Sequence, residues 1–199
     1  NNLKNIFDNW EKFELISSEW NIFEVTWGFE DMKQNTGNFA IENRYWSYPI
    51  WENFNEAKTF SKVNWELLIK AYPYFDMQVY FPPEPFKLII KESLVIKTIN
   101  APEKFLEVLE KIKSAEWEIM VRELWFWLNP NIDFENILSD VNPFERLEWF
   151  HVSLWKKHNI YRKKLHKDVV QRYHIDIFPD VKMMRVDGKV IFEGGRFVV

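Results

Sequence analysis

The stretch from Arg44 to Ala71 constrains the fold more than any other part of the chain. Aromatic residues run up to Pro49, then comes Trp-Glu-Asn-Phe-Asn-Glu-Ala-Lys, and then the apolar run Leu67-Leu68-Ile69. Aromatic enrichment closed by a proline predicts a short strand over Arg44–Pro49. Asn53, answered three residues later by Glu56, predicts a capped helix from about Phe54 to Lys62. Trp65–Ala71 reads as a buried strand. Strand, helix and strand in that order form the repeating unit of an α/β protein.

The flanking chain adds short elements of both kinds. Leu3, Ile6, Phe7 and Trp10 share one helical face, and Ile22–Trp27 reads as a strand stopped by Gly28. Three prolines among Pro82–Pro85 exclude regular structure. Phe86–Ile90 and Leu94–Ile99 predict a hairpin. A helix follows with proline in its first turn, and its apolar face is Phe105, Leu106, Leu109 and Ile112. Trp117, Ile119 and Val121 alternate as in a half-buried strand that continues into Leu124–Leu128. Asp133–Asp140 suggests a helical turn. Phe144, Leu147, Phe150 and Leu154 propose a helix starting near Pro143. His174–Phe178, Lys182–Val186 and Lys189–Phe192 read as strands, the last two joined at Asp187-Gly188, a strong hairpin signal.

Length and composition set the outer limits. At 199 residues the chain fits a single domain, residues 1–199, with a sizeable core. A charged fraction of 28% and the absence of long apolar runs point to a soluble protein with no transmembrane segment. The polar, acidic start shows no secretory signal. Without cysteine, disulfides and thiolate zinc sites are excluded, which fits a reducing, cytoplasmic location. Net charge is −4, yet Lys156, Lys157, Arg162, Lys163, Lys164, Lys167 and Arg172 face the single acid Asp168 within residues 156–172. Such a segment predicts either a solvated helix face or contact with an anionic ligand. Tyr161 and Tyr173, within it and beside its end, keep a nucleic-acid-binding accessory role open. The four histidines, His151, His158, His166 and His174, lack the i, i+4 spacing of a helical metal pair and read as incidental.

Two blocks resemble the GT-A-type glycosyltransferases that use nucleotide sugars. In the first, Trp51, Asn53, Phe54, Glu56 and Ala57 match, Lys58 stands for an arginine, and Trp65 and Leu67 open the following strand. In the second, Arg185, Gly188, Phe192, Glu193 and Gly194 match the acceptor-side strand pair. The resemblance implies an α/β fold with a GT-A-like mixed central β-sheet flanked by helices. It also implies sugar transfer from a nucleotide sugar to a glycan or protein acceptor. Asp31, Lys58, Lys70 and Arg185 would bind the nucleotide sugar, and Glu193 would be the catalytic base. The family's metal-binding Asp-x-Asp is replaced by Lys70-Ala71-Tyr72, so Mn²⁺ or Mg²⁺ would need other ligands, with Asp76, Asp140 and Asp176 the first to test. Asp140 and Asp176 are also rivals to Glu193 as base. A catalytically degenerate relative kept for binding or assembly is the alternative.

Overall fold

The computed structural model describes residues 2–8, 10–26, 28–35, 52–132, 144–154 and 172–199. The expected strand at Arg44–Pro49, the turn at Asp133–Asp140 and nearly all of the basic run lie outside these residues. Two sheets make up most of what is described. The smaller contains β1 (Lys12–Ile16), β2 (Ile22–Thr26), β12 (Met183–Val186), β13 (Lys189–Glu193) and β14 (Arg196–Phe197), in the order β14-β13-β12-β1-β2.

The larger sheet contains β3 (Lys33–Asn35), β4 (Glu52–Glu56), β5 (Trp65–Pro73), β6 (Val79–Tyr80), β7 (Phe86–Lys91), β8 (Leu94–Ile99), β9 (Val121–Trp127), β10 (Phe150–Leu154) and β11 (Ile175–Pro179). Its order is β3-β4-β9-β10-β11-β5-β7-β8, with β6 on β5. Every strand pair in both sheets is antiparallel. Two α-helices, α1 (Asn2–Asp8) and α2 (Glu103–Glu116), complete the described elements with a 3₁₀ turn at Phe60–Lys62.

This arrangement corrects the α/β expectation. A GT-A-like mixed sheet needs parallel strands joined by crossover helices, and the described sheets have antiparallel pairing alone. The helix expected at Phe54–Lys62 is instead β4, a short connection and the 3₁₀ turn. β4 lies between β3 and β9, which complete its backbone ladder on both sides, and that pairing overrides the capping pattern. The helix proposed from Pro143 is contradicted as well, because Phe150–Leu154 pairs with β9 and β11. The strand expected from Trp117 begins at Val121. Trp117 itself ends α2 in the left-handed conformation, with φ 71°.

Several expectations held. β5, β7, β8, β12 and β13 lie close to their expected ranges. The β12–β13 turn places Asp187 at φ 49° and Gly188 at φ 78°, both in the left-handed region that a two-residue hairpin requires. The Asp187 carboxylate also accepts from the backbone N–H groups of Glu11 and Lys12, tying this hairpin to the start of β1.

Aromatic rings fill the core between the sheets. Phe13 on β1 sits 6.1 Å from Phe126 and 6.3 Å from Phe150, and Phe23 meets Trp65 edge to face at 4.4 Å. Phe7 of α1 covers Phe126 at 5.1 Å. Large rings bring much apolar area per residue and favour such tilted contacts. Phe105 of α2 packs against Phe86 on β7 and Tyr72 on β5. No described helix is long and apolar enough to cross a membrane.

Candidate functional site

Successive side chains on a strand point to opposite faces, so register determines which residues share a face. Across β4, β9 and β10, Phe54 pairs with Trp125 and Trp125 with His151. One row further on, Glu56 pairs with Glu123, Glu123 with Ser153, and Ser153 with Asp176 on β11. Asn55, Leu124, Val152 and Ile177 form the intervening row on the opposite face. Across β4, β9, β10 and β11 the opposite face is apolar apart from Asn53 and Asn55, and the other carries Glu56, Glu123, His151, Ser153 and Asp176, all of them buried. A buried polar face is costly unless its groups satisfy one another.

The satisfaction centres on Asp176. Ser153 Oγ donates to Asp176 Oδ1 at 2.5 Å. His174, two residues before Asp176 and so on the same side of the strand, brings Nε2 to 3.1 Å from Oδ1 and 3.2 Å from Ser153 Oγ. His151 Nε2 lies 3.8 Å from Asp176 Oδ2. Both imidazoles thus turn the same nitrogen toward one carboxylate. This is not a nucleophilic Ser-His-Asp relay, which needs the two imidazole nitrogens to face serine and aspartate separately.

Neighbours hold the two rings in place. His151 stacks on Trp125 at 5.8 Å and 19°, and Trp125 stacks on Phe54 at 4.5 Å. Among the described residues, His151 Nδ1 is buried without a hydrogen-bond partner, so packing sets this ring's orientation. Glu116, the last residue of α2, accepts from the backbone N–H of Arg172 at 2.8 Å and of Tyr173 at 2.9 Å. That clamp delivers the next residue, His174, to β10. Nearby, Arg122 Nε bonds Glu56 Oε2 at 2.6 Å with both side chains essentially inaccessible.

Burial and charge drive the titrating groups apart. Burial pushes His151 down to about 4, against the pull of Asp176, so it is neutral at pH 7. Burial also disfavours the charged form of His174, but Asp176, with Glu123 and Glu145, outweighs it and raises that imidazole to about 8. Asp176 is desolvated, yet the two histidines and Ser153 hold its carboxyl well below the usual range. Because His151 is neutral at pH 7, we attribute that depression there to His174 and Ser153. Burial lifts Glu52 to about 7, opposed by the Asn35 amide and reinforced by Asp176. Burial and Asp176 likewise lift Glu145 to about 7. Among the described residues, no three His, Asp or Glu side chains are already spaced to enclose a metal ion.

The residues singled out from sequence lie elsewhere. Asp31 and Lys58 line one cavity of about 250 Å³ with Phe7, Asp8, Trp10, Gly28, Phe29 and Glu30. Lys70 is on β5, its ammonium 5.1 Å from the Trp149 ring. Arg185 and Glu193 belong to the small sheet, on β12 and β13. Of these five, Asp31 and Lys58 are brought together in that cavity. Of this cluster, Asp176 is the residue that the sequence offers as a rival base and metal ligand. The i, i+4 spacing of a helical metal pair does not apply to histidines brought together across strands. His174-x-Asp176 and His151-x-Ser153, both alternating with apolar residues, were the available strand-period signal.

No family profile matches the chain, and no curated protein matches it by sequence. Two solved structures share its fold. One is 2,5-dihydroxypyridine dioxygenase from Pseudomonas putida KT2440, with a TM-score of 0.74 and 13% identity over 99% of this chain and 57% of that one. The other is wild-type AmpT from Thermus thermophilus, with a TM-score of 0.62 and 14% identity over 98% of this chain and 51% of that one. The chain spans a little over half the length of each. These likenesses, with the antiparallel sheets, overturn the glycosyltransferase assignment. The fold is the one shared with these two structures.

Proposed function

We propose that the chain carries a metal-dependent active site in which His151, His174 and Asp176 bind one divalent ion, and that it oxygenates an electron-rich aromatic ring. The observation carrying this is that two imidazoles turn Nε2 toward a single buried carboxylate. Two histidines and one carboxylate with open positions suit non-haem Fe(II) better than Mg²⁺, which takes mainly oxygen ligands. Ligands about 2.1 Å from a shared ion lie roughly 3.0–3.5 Å from each other. The imidazoles lie 3.1 and 3.8 Å from different oxygens of Asp176, so the three side chains would have to reorient to close on one ion.

His151 is already in its neutral, ligating state at pH 7. His174 gives up a proton on ligation, so binding is coupled to proton release. A bound Fe(II) would hold ring and dioxygen side by side and relay electrons from the ring, which is oxidised, to dioxygen, which is reduced. Glu52 and Glu145, both near 7, hold or release a proton close to Asp176. Likeness in fold to a dioxygenase supports oxygenation over hydrolysis. A reducing location suits this chemistry and the lack of cysteine, and the basic run 156–172 remains a proposed contact for an anionic ligand.

The test is anaerobic titration with Fe(II), then oxygen uptake with 2,5-dihydroxypyridine. We expect one ion per chain and substrate-dependent oxygen consumption, both lost in Asp176→Asn and His174→Ala. A chain that binds neither Fe(II) nor Co(II) overturns the metal site. Stoichiometric binding without oxygen uptake overturns the oxygenation.

A further inference from the structure

We infer that the cavity at the end of α1 binds a small organic ammonium ion. The inference is independent of the metal site proposed above. Phe7, Trp10 and Phe29, all buried, supply an aromatic wall to a space of about 250 Å³. Trp10 stacks on Phe29 at 5.4 Å and 25°, and Phe7 meets Trp10 edge to face at 5.8 Å, so the wall is packed before any ligand arrives. Asp8, Glu30 and Asp31 line the same space, with Lys58 as the opposing cation. Three carboxylates against one ammonium give these lining groups a formal net charge of −2.

Backbone pairing holds this lining in place. Phe29 and Ala57 form a bridge, Glu30 N–H donates to Glu56 O at 2.8 Å, and Lys58 N–H donates to Gly28 O. Asp8 ends α1 and pairs there with Lys4, an exposed contact for which water already competes. Aromatic rings attract a cation through their quadrupoles, more strongly once it is desolvated. A hard metal ion needs oxygen ligands all round, which an aromatic wall does not offer. An anion meets three carboxylates, and a neutral apolar molecule leaves their charge unanswered. An alkylammonium ion lays its apolar body on the rings and answers the carboxylates with its charge. The space is just below the roughly 300–1,000 Å³ of pockets for drug-sized ligands, so the ion is a small one.

The experiment is calorimetric titration of the whole chain at low salt, without added metal, using choline, its neutral isostere 3,3-dimethyl-1-butanol and the anion 3,3-dimethylbutyrate. We expect one choline per chain, with the alcohol bound about 5–30-fold more weakly and the anion not at all. The double variant Glu30→Gln/Asp31→Asn should weaken choline about 3–10-fold, and Lys58→Gln should tighten it. Glu30 is half-buried and Asp31 and Lys58 are exposed, so these changes spare the core, and melting temperatures check that each variant is folded. Absence of choline binding to wild type would overturn the inference. Equal affinity for choline and the alcohol would also overturn it, by leaving only an apolar cavity, and tighter binding of the anion would reverse its sign. Unchanged choline affinity in the double variant, or its loss in Lys58→Gln, would place any binding elsewhere and overturn this site.

Discussion

At the residue scale, the polar face of the large sheet depends on pairing, and Arg122 with Glu56 is its deepest charged pair. Their side chains are 1% and 0% exposed and they meet at 2.6 Å. The attraction of such a pair is largely spent on desolvation, so its presence says little about net stability. Breaking it has a definite sign, because the surviving carboxylate stays buried. We expect Arg122→Met to destabilise the fold by about 3–5 kcal/mol, measured by urea unfolding. Arg122→Lys should recover part of this, since it restores charge without the planar guanidinium. A loss below about 1 kcal/mol for Arg122→Met would mean that another neighbour compensates the Glu56 carboxylate. The cation–π contact of Arg122 with the Phe60 ring, at 5.3 Å, also disappears in this variant, and in methionine the side chain keeps apolar bulk against that ring.

At the element scale, the end of α2 sets up a second test. Trp117 is left-handed at φ 71° and 86% exposed, and its N–H donates to Lys113 O at 2.7 Å. A helix usually ends this way on glycine, which escapes the Cβ clash of the left-handed region. Trp117→Gly should stabilise the protein by about 0.5–1 kcal/mol, the relief of roughly 1–2 kcal/mol of strain less the entropy glycine loses on folding. A lower melting temperature would show that the exposed indole makes a contact worth more than the strain. The same helix end illustrates what was legible in the sequence. Local signals placed α2, the β7–β8 hairpin and the Asp187-Gly188 turn, because each element is specified within about ten residues. β4 and β10 were misread because their partners are far along the chain: Phe54 pairs with Trp125, and Ser153 with both Glu123 and Asp176. The site inherits that difficulty. His151 and His174 are brought together by register rather than by spacing, and a helical spacing test has no sensitivity to it.

At the scale of the whole molecule, the buried acids tie global stability to pH, and Glu52 allows the sign to be isolated. Its carboxyl titrates at about 7 in the fold against 4.5 ordinarily, chiefly because it is buried between β3 and β9. The folded chain therefore binds this proton more tightly than the unfolded chain does. The resulting stability is complete below about pH 4.5 and is lost as pH rises toward 7 and beyond, by a total of about 3 kcal/mol. Glu145 has the same sign in the same window. His174, raised to about 8, extends the loss from 6.5 upward. His151 has the opposite sign, because it is neutral in the fold and resists protonation, so stability falls as pH drops from 6.5 toward 4. Wild-type curves sum these terms, and Glu52→Gln removes one of them. Metal-free wild type should be less stable at pH 8 than at pH 5.5, and Glu52→Gln should narrow that gap by raising the pH 8 value. The amide keeps a carbonyl oxygen for the Asn35 contact, seen at 3.4 Å, so the variant changes charge more than packing. Urea midpoints at the two pH values decide it: if the variant and wild type differ by the same amount at both, Glu52 is ionised in the fold as readily as in the unfolded chain, and its burial does not govern the pH dependence.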